Sequence, residues 1–393
     1  MSRSTGQFVS ATVGGERVRA FVPEPLPVRN PQLRIEGRLA ERLAAAAQAL
    51  SRLDLAAQMV PSVDWFLYAF VRKEAVLSSQ IEGTQATLID LLQFESSEEQ
   101  EASADIAEVC NHVDALQYAR KQLASPKGLP LSMRLLNEAH RLLMRGVRGA
   151  GKAPGEIRRT QNWIGGTRPG NAAFVPPPPE RLAKSIESLE KYIHGRDALP
   201  PIVRAGLVHV QFETIHPYLD GNGRIGRLLI ALLLEHWKLL SHPLLYLSLF
   251  FKRHQNEYYR RLSAVRDDGD WEGWIDFFLD GVATVGEAAV KSARELFETV
   301  AADRTRVLNE AAASVAAVRL FEALPSHPIV SVASVMRLLE TTKPTAGRAI
   351  EALEAAGVLT ETTGRRRDRS FAYRKYLDQL SAGTELEARG PRG

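Results

Sequence analysis

The amino-acid sequence predicts a mainly α-helical protein, and three observations lead to that prediction. Apolar residues recur at helical spacing along most of the 393-residue chain. One segment, 146–179, breaks this pattern with clustered Gly, Pro, Ser and Asn. From residue 317 onwards, three shorter helical patterns are followed by strand-like ones. We therefore expect a helical bundle that carries one long β-hairpin, followed by a small C-terminal domain of three helices and a second hairpin.

The composition is ordinary for a soluble globular protein, with 45% hydrophobic and 24% charged residues. Cys110 is the only cysteine, which excludes an intramolecular disulfide and a cysteine-based zinc site. The first seven residues lack the apolar core of a signal peptide, and no apolar run approaches the roughly 20 residues that span a bilayer. A net charge of +4 is too small to imply nucleic acid binding by itself. These observations predict a cytoplasmic protein.

The first part of the chain is predicted to form an arm and then a series of helices. Residues 1–35 are rich in proline and lack helical periodicity, so we expect an extended arm that packs over the surface. The helices that follow are predicted at residues 38–57, 63–82, 87–92, 105–123 and 132–144. His140 lies in the last of these helices and is expected to be a packed core residue.

The second part of the chain is predicted to form further helices around one turn. A Gly-Asn-Gly turn at 221–223 leads into a run of helix formers. The other helices are predicted at residues 180–194, 201–214, 251–265, 271–289, 291–315, 318–324, 332–339 and 344–356. Within the interruption, runs 162–164 and 173–175 flank the polar segment 165–171, a pattern that predicts a hairpin with a long tip.

The turn at 221–223 combines several chemical groups that suit a phosphate. A helix that begins there offers unpaired backbone N–H groups and the positive end of its dipole to an anion. Arg224 and Arg227 are three residues apart and therefore point to the same side. Asp220 could hold Mg²⁺ against a phosphate, and His216 is the natural general base. The residues alone predict a polyphosphate site with its own base.

A glycine-rich turn or a lone histidine is more often structural than catalytic, but the complete string is specific. It reads His216-Pro217-x-x-Asp220-Gly221-Asn222-Gly223-Arg224-x-x-Arg227. This string resembles the signature of the Fic family of nucleotidyl transferases, with Tyr218 where the family usually has Phe. The resemblance implies a Fic-type helical bundle that transfers AMP from ATP to a Tyr, Thr or Ser hydroxyl of a protein.

The same resemblance implies a role for each residue of the motif. His216 takes the proton from the attacking hydroxyl, Asp220 holds Mg²⁺ between the α- and β-phosphates, and Arg227 holds the γ-phosphate. The remaining motif residues cradle the phosphates and stabilise the charge of the transition state: Gly221, Asn222, Gly223 and Arg224. AMP is transferred by direct displacement at the α-phosphorus, and pyrophosphate leaves.

A second short motif ends the helix predicted at 63–82. Ser78-x-x-x-Glu82-Gly83 resembles the inhibitory motif of the Fic proteins that carry an N-terminal inhibitory helix. The resemblance implies that Glu82 reaches into the nucleotide site and pairs with Arg227. A carboxylate on that guanidinium would occupy the group that should hold the terminal phosphate. We therefore expect the enzyme as encoded to be autoinhibited.

Two further parts of the nucleotide and target sites are implied by the family resemblance. The hairpin at 162–175 resembles the Fic flap, which aligns a target peptide by strand addition. Its tip, Gly165, Gly166 and Thr167, is expected to contact the nucleotide. Tyr258 and Tyr259 resemble a tyrosine pair that lies beside the adenine.

The C-terminal region resembles a winged helix-turn-helix domain, with a basic wing tip at Arg365–Arg367. In DNA readers of this type, the helix that begins near Pro344 would enter the major groove. That helix carries few basic residues, Lys343 and Arg348, against Glu351 and Glu354. DNA binding and a role as a dimer or partner module are therefore both open.

The expected organisation is an N-terminal helical region over 1–125, a catalytic domain over 126–300 and a winged domain over 310–380. A homodimer that also modifies itself is the expectation from the family. Two other functions stay open at this point. One is a nucleotide-sensing DNA-binding regulator, which would not need His216. The other is removal of AMP from a modified protein, with Glu82 positioning a water.

Overall fold

The structure is a computed structural model that describes residues 3–59, 63–96, 101–309, 314–364 and 368–386. Within these ranges the chain forms fifteen α-helices and five short strands, so the predicted mainly α class is confirmed. None of the helices in the described ranges has an apolar stretch long enough to cross a membrane.

The N-terminal segment forms a β-hairpin, so the expectation of a single extended arm is wrong. Strands β1 (Gly6–Val13) and β2 (Glu16–Pro23) pair antiparallel. Gly14 and Gly15 join them with positive φ values of 57° and 85°, which glycine adopts without strain. The backbone N–H of Phe21 donates to the carbonyl of Val175 at 2.8 Å, and this bond attaches the hairpin to the segment predicted as the flap.

Five helices follow in the order that the sequence predicts. They are α1 (Arg38–Met59), α2 (Val63–Ile81), α3 (Leu88–Ser96), α4 (Ala104–Ala124) and α5 (Met133–Leu143). Gly83 follows α2 with φ 95°, in the left-handed region that a C-terminal cap requires. Ser132 caps α5, and its hydroxyl oxygen accepts from the N–H of Leu135 at 3.4 Å.

The centre of the molecule is the pair of helices on either side of the motif loop. After α6 (Pro179–His194), helix α7 spans Pro201–Ile215 and α8 spans Asn222–His236. Every residue of α7 after the first is buried, as is almost all of α8 up to Leu234. A helix that is buried all round is fixed by packing on every side. The loop at 216–221 therefore lies between two rigid ends.

Two predicted boundaries in the following helices are wrong. The helix predicted at 251–265 is two helices, α9 (Ser248–Arg253) and α10 (Gln255–Asp268), separated at His254 (φ −118°, ψ 37°). The two helices predicted over 271–315 are one helix, α11 (Trp271–Asn309). No proline or glycine separates its two predicted halves, so the backbone continues without a break.

The C-terminal region contains the predicted three helices and hairpin, with two additional elements. Its helices are α12 (Val315–Ala323), α13 (Val332–Leu338), α14 (Lys343–Ala355) and α15 (Arg374–Ser381). Strands β3 (Ile329–Ser331), β4 (Thr360–Glu361) and β5 (Ser370–Ala372) form an antiparallel sheet in the order β3-β5-β4. Strand β3 and helix α15 were not predicted. Arg365–Arg367 lie outside the described residues, and the winged helix assignment stays a prediction.

Candidate active site

His216 stands at the junction between α7 and the motif loop. It caps α7 in a left-handed conformation (φ 50°, ψ 62°), and its N–H bonds to the carbonyl of Phe212 at 2.9 Å. Its own carbonyl accepts from Nε of Arg158 at 2.9 Å. The buried Arg158 guanidinium also donates to Pro177 at the end of the flap segment. Arg158 thus ties His216 to the flap, a contact that the sequence analysis missed.

The His216 imidazole is held in the form of a base. Burial, together with the charge of Arg158, lowers the pKa of His216 to about 4, so the ring is neutral at pH 7. Its Nδ1 lies 3.3 Å from the carbonyl of Glu213, which assigns the ring proton to Nδ1. Nε2 therefore keeps a lone pair that can accept a proton.

The Asn222 side chain braces the motif loop, and its predicted contribution to a phosphate site stays a prediction. Its Oδ1 accepts from the N–H of Tyr218 at 2.9 Å, and its Nδ2 donates to the carbonyl of Tyr218 at 2.8 Å. The Tyr218 ring stacks on His140 at a centroid distance of 3.9 Å. His140 accepts from the N–H of Gly155 at Nδ1, so its Nε2 donates to the carbonyl of Asp220 at 3.0 Å. The predicted core histidine is confirmed, and it also holds the loop.

Asp220 presents one carboxylate at the edge of the site. Its Oδ1 accepts from the N–H of Gly221 at 2.7 Å, and its Oδ2 lies 3.3 Å from Nζ of Lys152. No group of three or more His, Cys, Asp or Glu side chains that could hold a metal gathers among the described residues. Mg²⁺ in nucleotide sites needs only one or two carboxylates because the phosphates supply the other oxygens. The single, partly exposed Asp220 fits that mode of binding.

Arg224 is buried with unused hydrogen-bonding capacity. Its side chain is 2% exposed, and its Nε and Nη1 have no hydrogen-bond partner. Nη1 lies 3.5 Å from the carboxylate of Glu108, a buried α4 residue that also accepts from the hydroxyl of Thr84 at 2.8 Å. Unpaired buried donors are costly, and an anion at the start of α8 would satisfy them. The sequence analysis missed Glu108, since nothing in its local pattern distinguishes it.

Arg227 is fully engaged by the second motif. Its Nε donates to the hydroxyl of Ser78 and its Nη2 to the carbonyl of Ser78, both at 2.9 Å. Nη2 also meets Oε1 of Glu82 at 2.7 Å. Burial acts to lower the pKa of Arg227, but the charge and hydrogen bond of Glu82, together with Tyr258 and Tyr259, outweigh burial, and the pKa is raised. The predicted contact between the two motifs is present.

The Glu82 carboxylate occupies the space above the first turn of α8. A Cβ atom added at Gly223 would lie 2.3 Å from Oε1 of Glu82 and 3.0 Å from Nη1 of Arg227. Gly223 has no side chain, and the space that this leaves, which was expected to hold a phosphate, holds the Glu82 carboxylate. Ser78, Glu82, Gly223 and Arg227 therefore form one closed cluster.

The structure separates the two tyrosines that were predicted to lie beside adenine. Tyr258 is buried in the core, and its hydroxyl contacts Nε2 of His209 at 2.8 Å. A direct contact with a nucleotide is therefore not available to Tyr258 in this conformation. Tyr259 is 44% exposed, and the charges of Glu82 and Arg227 act on its hydroxyl. Only Tyr259 of this pair fits the predicted contact.

The predicted flap is a hairpin with one β-bridge. Ile164 and Phe174 exchange two backbone hydrogen bonds of 2.8 and 3.1 Å. Gly165 and Gly166 follow with φ values of 67° and 72°, and the N–H of Thr167 bonds to Oδ1 of Asn171 at 3.0 Å. These three tip residues are exposed. Their contact with a nucleotide stays a prediction.

A histidine at the end of α7 and two buried arginines in the first turns of α8 lie on either side of one loop, an arrangement whose charge suits a phosphate-like anion. Residues 40–121 match the family described as Fic/DOC family N-terminal, and residues 130–234 match the Fic/DOC family. Both regions of the chain thus match one family, the Fic/DOC family.

Comparison with known proteins gives relatives of the same kind. The chain is 30% identical over 168 residues to "Protein adenylyltransferase Fic" of Drosophila grimshawi, which covers 42% of this chain and 31% of that protein. It is 33% identical over 128 residues to the protein of the same name in Drosophila yakuba, covering 32% of this chain and 23% of that one. The chain thus spans less than a third of the length of these two relatives.

A solved structure shows that the fold extends beyond the matched regions. It is the crystal structure of a Fic family protein from Desulfovibrio desulfuricans G20, with a TM-score of 0.57 and 21% identity. The similarity covers 92% of this chain and 100% of that one. At this identity the likeness shows a shared fold.

Proposed function

We propose that the chain is a protein adenylyltransferase and that the described conformation is its autoinhibited state. The names of the curated relatives support the transfer of AMP to a protein. The observation that carries the inhibited state is the position of Glu82, whose carboxylate pairs with Arg227 at 2.7 Å directly above Gly223. A negative charge at that position repels the terminal phosphate of ATP.

In this proposal the chain's own residues supply a base and an anion site. Nε2 of His216 takes the proton of the target hydroxyl as its oxygen attacks the α-phosphorus. The bond between the α-phosphorus and the bridging oxygen breaks, and pyrophosphate leaves with its electron pair. The unpaired N–H groups of Arg224 and the backbone at the start of α8 stabilise the charge that develops. Mg²⁺ held by Asp220 would neutralise phosphate charge when bound.

Release of Glu82 would remove one partner of Arg227 and leave its two bonds to Ser78 in place. The two bonds from Arg227 to Ser78 keep the guanidinium oriented. The Nη2 hydrogen that Glu82 had accepted then becomes free for the γ-phosphate, while the other Nη2 hydrogen stays bonded to Ser78. Each ~1.4 kcal/mol of net pairing energy that ATP must overcome lowers the rate about tenfold. A modest ion pair therefore suffices for strong inhibition.

The test is incorporation of label from ATP labelled on the α-phosphate, with Mg²⁺ present. We expect weak self-labelling of wild type, labelling at least tenfold stronger for Glu82→Gly, and none for Glu82→Gly with His216→Ala. Glu36→Gly is the matched control, because Glu36 is an exposed loop carboxylate before α1. Equal labelling of wild type and Glu82→Gly would refute the inhibition. ATP binding without any label would favour a nucleotide sensor.

Removal of AMP from a modified protein is the second candidate. The Glu82 side chain keeps 32% of its surface exposed while it is paired, so it can also meet a water. Incubation with a labelled target distinguishes the two reactions. Loss of label with wild type but not with Glu82→Gly would establish removal. Loss of label with neither protein would exclude it.

A further inference from the structure

The segment that follows α15 contacts the end of the helix that carries Glu82. Gln80, two residues before Glu82, donates from Nε2 to the carbonyl of Thr384 at 2.8 Å and to that of Ala86 at 2.9 Å. One side-chain amide thus joins the loop after the inhibitory motif to a residue 304 positions further along the chain.

Two more contacts join α2 to the C-terminal region. The buried Lys73 donates from Nζ to the carbonyl of Leu380 at 3.1 Å. The ring of Tyr68 stacks on His327 at a centroid distance of 6.1 Å. The inhibitory helix is therefore held along most of its length by residues of the C-terminal region.

Residues 382–385 have a defined conformation in this position. Thr384 is 1% exposed, and both its N–H and its hydroxyl bond to the carbonyl of Ser381, at 2.8 and 2.7 Å. The carbonyl of Glu385 accepts from Nζ of Lys252 on α9 at 2.7 Å. Gly383 has φ 88°, and a Cβ there would lie 2.9 Å from Cδ1 of Leu249. The segment thus lies against both α2 and α9 in a position that only a glycine at 383 permits.

We propose that residues 382–385, hereafter the C-terminal clamp, form a second inhibitory element that occupies an interaction surface on α2 and α9. The clamp fixes Gln80, and Gln80 fixes the turn from which Glu82 reaches Arg227. Any binding event that displaces the clamp frees the inhibitory helix. This inference rests on the proposed function, because inhibition is defined by AMP transfer.

The size of the expected effect follows from the contact that is lost. A hydrogen bond between uncharged groups contributes about 1 kcal/mol, which corresponds to about fivefold in an equilibrium. Removal of the clamp should therefore raise self-labelling about fivefold. It should not reach the level of Glu82→Gly, because Glu82 itself remains.

Two shortened chains make the test. One ends at Ser381, which removes the clamp and keeps α15 with its bond from Lys73. The control ends at Leu386 and keeps the clamp. We expect about fivefold more label with the first chain and no change with the control. Equal labelling of the two would overturn the inference. Gly383→Val in the full-length chain, which should dislodge the clamp by steric conflict, must reproduce the increase.

A readout that does not depend on activity separates this inference from the proposed function. The N–H groups of Glu82, Gly83 and Thr84 bond to carbonyls of α2 at 3.0, 3.0 and 3.2 Å. Loss of the clamp should speed their hydrogen exchange about fivefold, and the control chain should match wild type. Unchanged exchange would overturn the inference even if Glu82→Gly labels strongly. If exchange becomes faster but Glu82→Gly incorporates no label, the role of the clamp in holding the inhibitory turn is supported and the proposed transferase activity is rejected.

Discussion

Two arginines of the same motif are in opposite states, and the difference lies in their partners. Arg227 has bonds to both Ser78 and Glu82, whereas Nε and Nη1 of the equally buried Arg224 have no hydrogen-bond partner. In the proposed function, Arg224 is ready for a phosphate and Arg227 must first lose a carboxylate. Spacing in the sequence makes the two residues equivalent, and only the contacts distinguish them.

The lowered pKa of His216 predicts an unusual acid limit for transfer. Burial and Arg158 lower the pKa to about 4, so the neutral base is present throughout the range above about pH 5. In the Glu82→Gly variant, kcat/KM should stay constant from pH 8 to about pH 5 and fall only below that. Loss of Glu82 removes a negative charge that favours the protonated His216 ring, so the substitution should not raise the pH at which activity is lost.

The measurement is initial rates of labelling between pH 4 and 8, with circular dichroism at each pH to confirm that the protein is folded. An acid limb near pH 6.5, the ordinary histidine value, would contradict the assignment of His216 as a buried neutral base.

Glu213 predicts a measurable dependence of stability on pH. Burial raises its pKa to about 7, and its Oε1 has no hydrogen-bond partner. A carboxyl with a raised pKa stabilises the fold below its unfolded pKa, and this contribution is lost as the pH rises through 7. Arg227 opposes the shift, and Glu82 adds to it. Glu213→Gln keeps the neutral shape and should raise the free energy of unfolding by about 2–3 kcal/mol at pH 8.

Urea unfolding at pH 5 and pH 8 tests this prediction. The gain should be small at pH 5, where wild-type Glu213 is already mostly protonated in the folded state. Glu287→Gln, at an exposed carboxylate of α11, should be neutral at both pH values. A Glu213→Gln variant that is less stable than wild type at pH 8 would show that the charged form is the one the fold needs.

At the scale of elements, the loop after α2 is held by more than the Glu82 ion pair. The Thr84 hydroxyl donates to the buried Glu108 carboxylate, which in turn faces Arg224 and Arg148 at 3.5 Å each. Nη2 of Arg148 donates to the carbonyl of Glu82 at 3.3 Å. Helix α4 thus connects the inhibitory turn to the motif helix α8.

Thr84→Val should weaken inhibition through this connection. The substitution removes a donor to a buried carboxylate, and hydrogen bonds of that kind contribute about 1.5–3 kcal/mol. We expect self-labelling about tenfold above wild type, while Thr84→Ser, which keeps the hydroxyl, should label like wild type. In the Glu82→Gly background, Thr84→Val should add nothing. Lower thermal stability with unchanged labelling would limit Thr84 to a structural role.

The motif can be identified from the sequence because its residues lie within one short stretch. The residues that support it cannot be identified in this way. His216, Asp220 and Arg227 are linked by one loop and one helix, so spacing alone brings them together. Arg158 contacts His216 and Glu108 faces Arg224, each from a segment more than fifty residues away, and no local pattern in the sequence indicates either contact. Tyr258 and Tyr259 are neighbours in the sequence, but the first is buried and the second is exposed, a difference that only packing decides.

Elements were predicted best where an end signal is strong. Gly83 and Ser132 mark helix ends through left-handed geometry and a capping hydroxyl, and the helix ends predicted at 82 and 132 agree with the structure to within one residue. The proline-rich composition of residues 1–35 favours an extended arm, but the Gly14-Gly15 turn folds the first part of this segment into the β1–β2 hairpin. Helix α11 continues through residue 290, where two helices were predicted to meet, because no proline or glycine stands there.

At the scale of the whole molecule, α11 contacts both the helical bundle and the C-terminal region, which share one hydrophobic core. Near its start, Nε1 of Trp274 donates to the carbonyl of Gly206 on α7 at 2.8 Å. Near its end, the buried Asp303 accepts from the hydroxyl of Tyr373, between β5 and α15, at 2.8 Å. The predicted boundary between residues 300 and 310 therefore falls within or at the end of a helix that both regions use.

This continuous helix fixes a distance. With 39 residues, α11 is about 60 Å long. It contains no proline, and its glycines all lie at or before Gly286, where the Cβ position is only 3.0 Å from that of Ala49 on α1. Sharp bends in helices occur at proline, at glycine, or where a side chain or water is inserted into the backbone hydrogen bonds. An appended domain on a flexible linker can change its position, whereas α11 joins this one to the bundle without a flexible link. A macromolecule that contacts both ends of α11 would meet two points that are about 60 Å apart.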